Sequence, residues 1–189
     1  PDIYQKKQGL NSRQRRTILI EEMSNLDSIG HTCSSCIGNC CTFTSNSMRI
    51  TPLEAIEILH FLETENRLNS SLIKKLENNI SEFRLENELA LGIKKNYTCP
   101  FYLGSCQGCS ISRGSKPYGC LAFNANSPNV TKGTNCFSNQ LILENREQLF
   151  PEEKEINLFI IKKLDLHWDK ASIPVALLEI IKKANLVRL

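Results

Sequence analysis

Four cysteines fall within nine residues: Cys33-Ser34-Ser35-Cys36-Ile37-Gly38-Asn39-Cys40-Cys41. Five more follow, at Cys99, Cys106, Cys109, Cys120 and Cys136. A hydrophobic core has no use for so many thiols in one short polar loop, whereas thiolate sulfur is the soft ligand that zinc, iron and iron–sulfur clusters prefer. In the Cys33-x2-Cys36 pair, the two intervening residues let the chain turn so that both sulfurs face one point and backbone N–H groups aim at them. Gly38 supplies backbone freedom for the next turn. Cys40 and Cys41 are adjacent, and neighbouring side chains are expected to diverge. That arrangement suits two sites, a polynuclear centre, or one ligand beside one free thiol.

One structural zinc takes four ligands, so nine cysteines exceed the need of a single ion. Two zinc ions, or a four-iron cluster with a second site, would use eight. Four cysteines in the first group and five in the second predict two arms that meet around a shared centre. Structural zinc binding of roughly 10–16 kcal/mol rivals the stability of a whole domain, so without metal residues 30–45 and 97–136 are expected to fold poorly. The number of cysteines is odd, and among 189 residues their frequency is below the roughly 8–10% of a disulfide scaffold. Reduced, metal-binding thiols are therefore favoured over disulfides.

Other reactive groups are sparse. His31, two residues before Cys33, could complete a site but reads first as a packed or solvated histidine. His60 and His167 read as structural, and Cys106 as a thiol outside the ligand set. Arg113, Lys116 and Lys132 are candidates to offset thiolate charge. The run Pro151-Glu152-Glu153-Lys154-Glu155 reads as a helix N-terminus with charges that suit its dipole. No glycine-rich nucleotide loop is present, because Gly104-Ser105-Cys106-Gln107-Gly108 has neither the spacing nor the following lysine. No residue is assigned a catalytic role.

The elements that must position these groups are helical. Residues 13–28 predict a helix with Ile18, Leu19 and Ile20 inward. Thr51-Pro52-Leu53-Glu54 is a capping-box start with proline at the first helical position, and its helix runs to about residue 65. A second helix is predicted over residues 70–91, ending at Gly92. The short link between the two predicts an antiparallel hairpin. Residues 97–136 are rich in Gly, Ser, Asn and Pro and predict irregular structure, and helices resume near residues 138–149, 152–167 and 172–186. The fold class is mostly α: a helical hairpin and C-terminal helices around an irregular cysteine-rich core. The expected organisation is a polar tail at 1–12, a cysteine-cluster domain at 13–136 and a C-terminal helical extension at 137–189 packed on it.

Hydrophobic residues make up 41%, charged residues 23%, and the formal charge is +3. This is ordinary for a globular protein and too small a charge to argue for nucleic acid. No apolar run reaches the roughly 18–20 residues that span a bilayer. The polar opening segment has no signal-peptide stretch, which favours the cytoplasm.

The cysteine stretch at 33–41, followed by Ile50-Thr51-Pro52-Leu53-Glu54-Ala55, resembles the start of the YkgJ-type cysteine-cluster proteins, a family described as zinc- or iron-chelating with a CxxCxxCC-like signature. Cys99-Pro100-Phe101-Tyr102-Leu103, Cys109-Ser110-Ile111 and Lys116-Pro117-Tyr118-Gly119-Cys120 resemble its CPFL, CxIY and RPxxC elements in the same order. The likeness spans about residues 30–136. This chain departs from the pattern with three residues before Cys40, Ser112 in place of tyrosine, Lys116 in place of arginine, and Leu121 where another arginine is usual. The resemblance implies Cys33, Cys36, Cys40, Cys41, Cys99, Cys109, Cys120 and Cys136 as metal ligands, with zinc or iron as cofactor and a 4Fe-4S cluster as the alternative. The leading expectation is a metal-binding module in a structural, storage or delivery role, compatible with a protein partner. A related cysteine cluster occurs in flagellin lysine N-methylases, so the alternative is an iron–sulfur enzyme or electron carrier linked to protein-lysine methylation.

Overall fold

The computed structural model describes residues 12–31, 37–104, 108–128 and 136–186. Cys33, Cys36, Cys106 and Lys132 lie outside the described residues, as does the polar segment 1–12 except Ser12. The Ser12 hydroxyl donates to the Gly114 carbonyl at 2.7 Å.

The described chain is mostly helical. Helix α1 (Thr17–Ser28) follows a 3-10 turn, Gln14–Arg16. Helix α2 (Pro52–Thr64) opens with the expected capping box. The Thr51 hydroxyl accepts from the Glu54 amide, and the Glu54 carboxylate accepts from the Thr51 amide. Helix α3 (Ser70–Glu82) is capped by Asn69, whose side chain accepts from the Leu72 amide. It is shorter than the helix predicted to reach residue 91. Arg84 takes a left-handed φ of 53°, and the Leu85 amide turns back to the Ile80 carbonyl, which closes the last turn. Only a short helix α4 (Glu88–Leu91) then forms before Gly92. Helices α5 (Tyr118–Leu121), α6 (Gln140–Leu149), α7 (Glu153–Leu164) and α8 (Ile173–Ala184) complete the set.

Two small antiparallel pairs join distant segments. Strand β1 (Arg49–Ile50) pairs with β4 (Ala171–Ser172), while β2 (Phe123–Ala125) pairs with β3 (Cys136–Ser138). The first pair brings α8 onto the start of α2.

The main core gathers Leu53, Ile58 and Leu62 of α2, Leu76 of α3, Ile160 of α7 and Leu177 of α8, with Tyr97 and Phe101 from the second cysteine arm. Helices α2 and α3 do not form a hairpin closed chiefly on itself. Each packs more closely against α8 than against the other, because α8 is apolar over most of its surface and needs cover on several sides. A second, smaller core joins Leu19 of α1, Tyr118 and Leu121 of α5 and Ile142 of α6. Among the described residues, no helix is long and apolar enough to cross a membrane.

Candidate metal centre

The end of the first arm is a single 3-10 turn, Asn39–Cys41, entered through Gly38 at a left-handed φ of 71°. A Cβ at Gly38 would lie 2.7 Å from Cε2 of Tyr102, and the Tyr102 hydroxyl donates to the Ile37 carbonyl. Glycine is thus demanded twice, by dihedral and by contact. The Cys40 and Cys41 thiols do not diverge as adjacent side chains on an extended strand would. They hydrogen-bond to each other, because a helical turn rotates successive side chains by only about a third of a circle.

The second arm is pinned on both flanks of Cys99. Tyr97 and Phe101 are buried in the main core, and Asn79 of α3 donates to the Thr98 carbonyl at 2.8 Å. The chain then doubles back. Tyr102 bridges Cys109, the Ser110 amide donates to the Phe101 carbonyl at 2.9 Å, and Arg67 of the α2–α3 link holds the Ser110 carbonyl at 2.7 Å. The local turns aim amides at sulfur. The Tyr102 amide donates to the Cys99 carbonyl at 3.0 Å, the Phe101 and Tyr102 amides ease the ionisation of the Cys99 thiol, and the Ile111 amide lies 3.4 Å from the Cys109 sulfur. This is the arrangement that orients and stabilises metal-bound thiolates.

The two arms are joined directly. The Cys99 amide donates to the Cys41 carbonyl at 2.7 Å and the Tyr97 amide to the Asn46 carbonyl at 2.9 Å. The Phe43 amide donates to the Thr98 hydroxyl at 3.0 Å, and the Asn46 side chain returns a bond to the Tyr97 carbonyl. Cys120 arrives separately, on the short helix α5.

The thiols act on one another. Burial, then the charge of Cys109, pushes Cys99 up to about 12, against the pull of Lys75 and the two amides. Burial raises Cys120 well above the ordinary thiol range. Cys99, Cys109 and Cys40 add to that rise and Lys116 opposes it. The hydrogen bond from Cys41, then burial, raises Cys40, again opposed by Lys116. Cys40, Cys41, Cys99, Cys109 and Cys120 form no disulfide among the described residues. The donor set is therefore soft, half-buried and short of countercharge, which is the environment a thiophilic cation would fit. Among the described residues, no three His, Cys, Asp or Glu side chains are closed tightly enough to hold an ion as they stand.

The other sequence candidates are distributed as follows. Cys136 lies on β3, register-paired with Ala125 and packed against it; the charges acting most strongly on Cys99 and Cys120 do not include it. The His31 Nδ1 atom sits 3.1 Å from the Ala125 carbonyl. Arg113 pairs with Asp27 at 2.5 Å, so of the two described countercharge candidates, Arg113 and Lys116, it is Lys116 that acts on Cys40 and Cys120. His60 and His167 lie on the surface beside Glu63 and Asp165.

A buried ion cluster beside the thiols is absent from the sequence reading. Arg15 pairs with Glu57 and reaches Glu153 at 3.4 Å, Arg16 pairs with Glu57 at 2.6 Å, and Arg146 pairs with Glu153. The Tyr118 hydroxyl donates to Glu153 at 2.9 Å, and its ring lies 3.5 Å from the Arg146 guanidinium carbon and 4.6 Å from that of Arg16. Glu153 opens α7, as the run 151–155 predicts, and it is also an interior ion-pair partner. The one signal in sequence was the placement of Glu54 and Glu57 among the apolar positions of α2.

No family model matches the chain, and no curated protein and no solved structure is similar enough to it to count as a match.

Proposed function

We propose that this chain is a metal-binding protein that holds zinc or iron through thiolates drawn from both cysteine arms, in a structural, storage or delivery role. The observation that carries the reading is the seam that fastens the two arms, the Cys99 amide on the Cys41 carbonyl, with the Ile111 amide on the Cys109 sulfur, among disulfide-free thiols at Cys40, Cys41, Cys99, Cys109 and Cys120. A neutral thiol gains little from backbone N–H donors, whereas a metal-bound thiolate is stabilised by them. Cys33, Cys36 and Cys136 enter as further ligands on the spacing of the chain and on its likeness to the YkgJ-type proteins. Thiols in this role belong in a reducing compartment such as the cytoplasm.

In this chemistry each thiol that becomes a ligand releases its proton, and the cation supplies the countercharge that Lys116 and Lys75 supply only in part. The protein's own contribution is to bury the sulfurs, aim amides at them and hold two arms in register. The metal would supply cross-linking, or electron transfer in the iron–sulfur form.

Metal analysis and visible absorbance of protein purified without oxygen test the reading. Bound zinc in colourless protein, lost in a Cys99→Ser/Cys120→Ser variant, supports a thiolate zinc site. Brown protein containing iron and acid-labile sulfide moves the conclusion to an iron–sulfur carrier or enzyme. Metal-free protein without titratable thiols would overturn both.

A further inference from the structure

We propose that Arg16 is a positioning residue of the thiol centre, which by holding the Lys116 carbonyl and the Tyr118 ring sets where Cys120 presents its sulfur. The inference rests on reading the cysteine cluster as a metal site.

Arg16 is fully buried. Its Nε donates to the Lys116 carbonyl at 2.6 Å, while Nη1 reaches Glu57 at 2.6 Å and the Ser12 carbonyl and hydroxyl at 2.9 and 2.8 Å. A guanidinium is a planar fork, so fixing Nη1 on Glu57 also fixes the direction in which Nε points. Glu57 belongs to α2, so the fork transfers the position of α2 to the Lys116 carbonyl.

The same segment is gripped a second time. The Tyr118 amide donates to Glu54 at 2.8 Å, and Glu54 is itself fixed by the capping box. Two carboxylates one helical turn apart on α2 therefore carry the Lys116-Pro117-Tyr118 segment, one directly and one through Arg16. Cys120 follows two residues later, its amide bonded to the Pro117 carbonyl at 3.0 Å. Little slack remains between clamp and sulfur, because a Cβ at Gly119 would lie 2.8 Å from Met48.

Arg15 pairs with one carboxylate oxygen of Glu57 and Arg16 with the other, so Arg16 contributes to stability as a buried ion-pair partner; that role alone does not require its contact with the Lys116 carbonyl. Arg16 adds a fixed donor to a carbonyl in the thiol-bearing segment. The same contact holds Lys116, whose ammonium opposes the thiol charges at Cys40 and Cys120.

The test compares Arg16→Lys and Arg16→Met with Arg146→Lys, a neighbour in the same ion cluster that stacks on Tyr118 but does not touch the Lys116 carbonyl. Two quantities are read in each: zinc retention against a chelator, and the mass-mapped rate of Cys120 alkylation in the protein as purified. Loss of an outer contact of this kind is expected to weaken zinc retention and to speed Cys120 alkylation by about ten-fold in both Arg16 variants. Lysine keeps the charge but not the fork, so it should not rescue. Arg146→Lys should lower the melting temperature while leaving both quantities near wild type. If Arg16→Lys matches wild type, or if Arg146→Lys shifts Cys120 as much, the positioning role is overturned. Should wild-type protein bind no zinc, the metal reading falls, and the alkylation comparison still decides the role of Arg16. Arg16→Lys carries the decision if Arg16→Met does not fold.

Discussion

The amide of Cys99 donates to the carbonyl of Cys41 at 2.7 Å, so a cysteine of the second arm is fastened to the backbone of the adjacent pair in the first. This is a backbone bond, independent of which side chains ligate. With Phe43 on Thr98 and Asn46 on Tyr97, it forms a short stitched seam between segments far apart in sequence. Because Tyr97 is buried in the main core beside α8, the seam transmits the rigidity of the helical body to the thiols. Side chains carried on such support are held in place better than those on free loops.

Gly38 is the narrowest point of that seam. An alanine there must adopt a left-handed φ, costing roughly 1–2 kcal/mol, and must also displace the Tyr102 ring from a 2.7 Å contact. Gly38→Ala is expected to lower stability in urea by about 2 kcal/mol or more and to reduce metal retention. Adding Tyr102→Ala should recover only part of the loss, because it removes the clash and leaves the dihedral strain. Full stability of Gly38→Ala would contradict the geometry of the turn.

The buried ion cluster predicts a large effect from a small change. Glu57→Gln removes one charge and leaves Arg15 and Arg16 together in the interior without the carboxylate that both share, Arg15 still reaching Glu153. Breaking a buried pair by neutralising one partner typically costs about 3–5 kcal/mol. Urea unfolding of Glu57→Gln should show a loss of that order. A loss below about 1 kcal/mol would mean that the pair behaves as a surface bridge does.

How much of this was readable in advance follows physical lines. The start of α2 was, since threonine, proline and glutamate at fixed offsets satisfy orphan amides by local bonds alone. The reach of α3 was not. Its apolar stripe continues past residue 82, and the stop comes from a left-handed Arg84 that no glycine announces. The packing of α2 and α3 chiefly against α8 was not legible, because a short link fixes nearness in sequence and not the face that each helix buries. The cysteine spacing pointed to sulfur chemistry. Which thiols gather depends on long-range seams such as Cys41–Cys99, and these leave no local pattern. The Arg15–Glu57–Arg146–Glu153 cluster was hidden for the same reason, since each charge looks like a surface residue until its partner arrives from another helix.

Protonation of the thiols sets the alkaline stability of the metal-free protein. Burial and Cys109 hold the Cys99 proton up to about 12 in the folded state, against about 9 for an ordinary cysteine; burial and neighbouring thiols move Cys120 the same way. Across that interval the folded protein binds more protons than the unfolded chain, so stability falls as pH rises. The contribution is complete below about pH 9 and is lost progressively as pH climbs toward the folded value. In chelator-treated protein the urea midpoint should therefore hold up to about pH 9 and drop as pH rises beyond it toward the folded value. The drop should be shallower in Cys99→Ala/Cys120→Ala. An equal slope in the two proteins would show that other groups govern it.

Glu54 serves two neighbours, and the two can be separated. Through Thr51 it closes the N-terminus of α2; through Oε1 it accepts the Tyr118 amide at 2.8 Å. Thr51→Ala removes the hydroxyl cap while the carboxylate can still hold Tyr118, so a loss of about 1 kcal/mol is expected. Glu54→Ala removes the cap partner and also strands the Tyr118 amide in a buried setting, which adds roughly 1–3 kcal/mol. The distinction should extend to the thiols. Glu54→Ala is expected to speed alkylation of Cys120 in metal-free protein, because the Tyr118 end of the segment is released, and Thr51→Ala is not. The two variants measured side by side, by urea unfolding and by Cys120 labelling, decide the matter. Equal labelling rates would confine Glu54 to its capping role and leave Arg16 as the sole tether between α2 and the Cys120 segment.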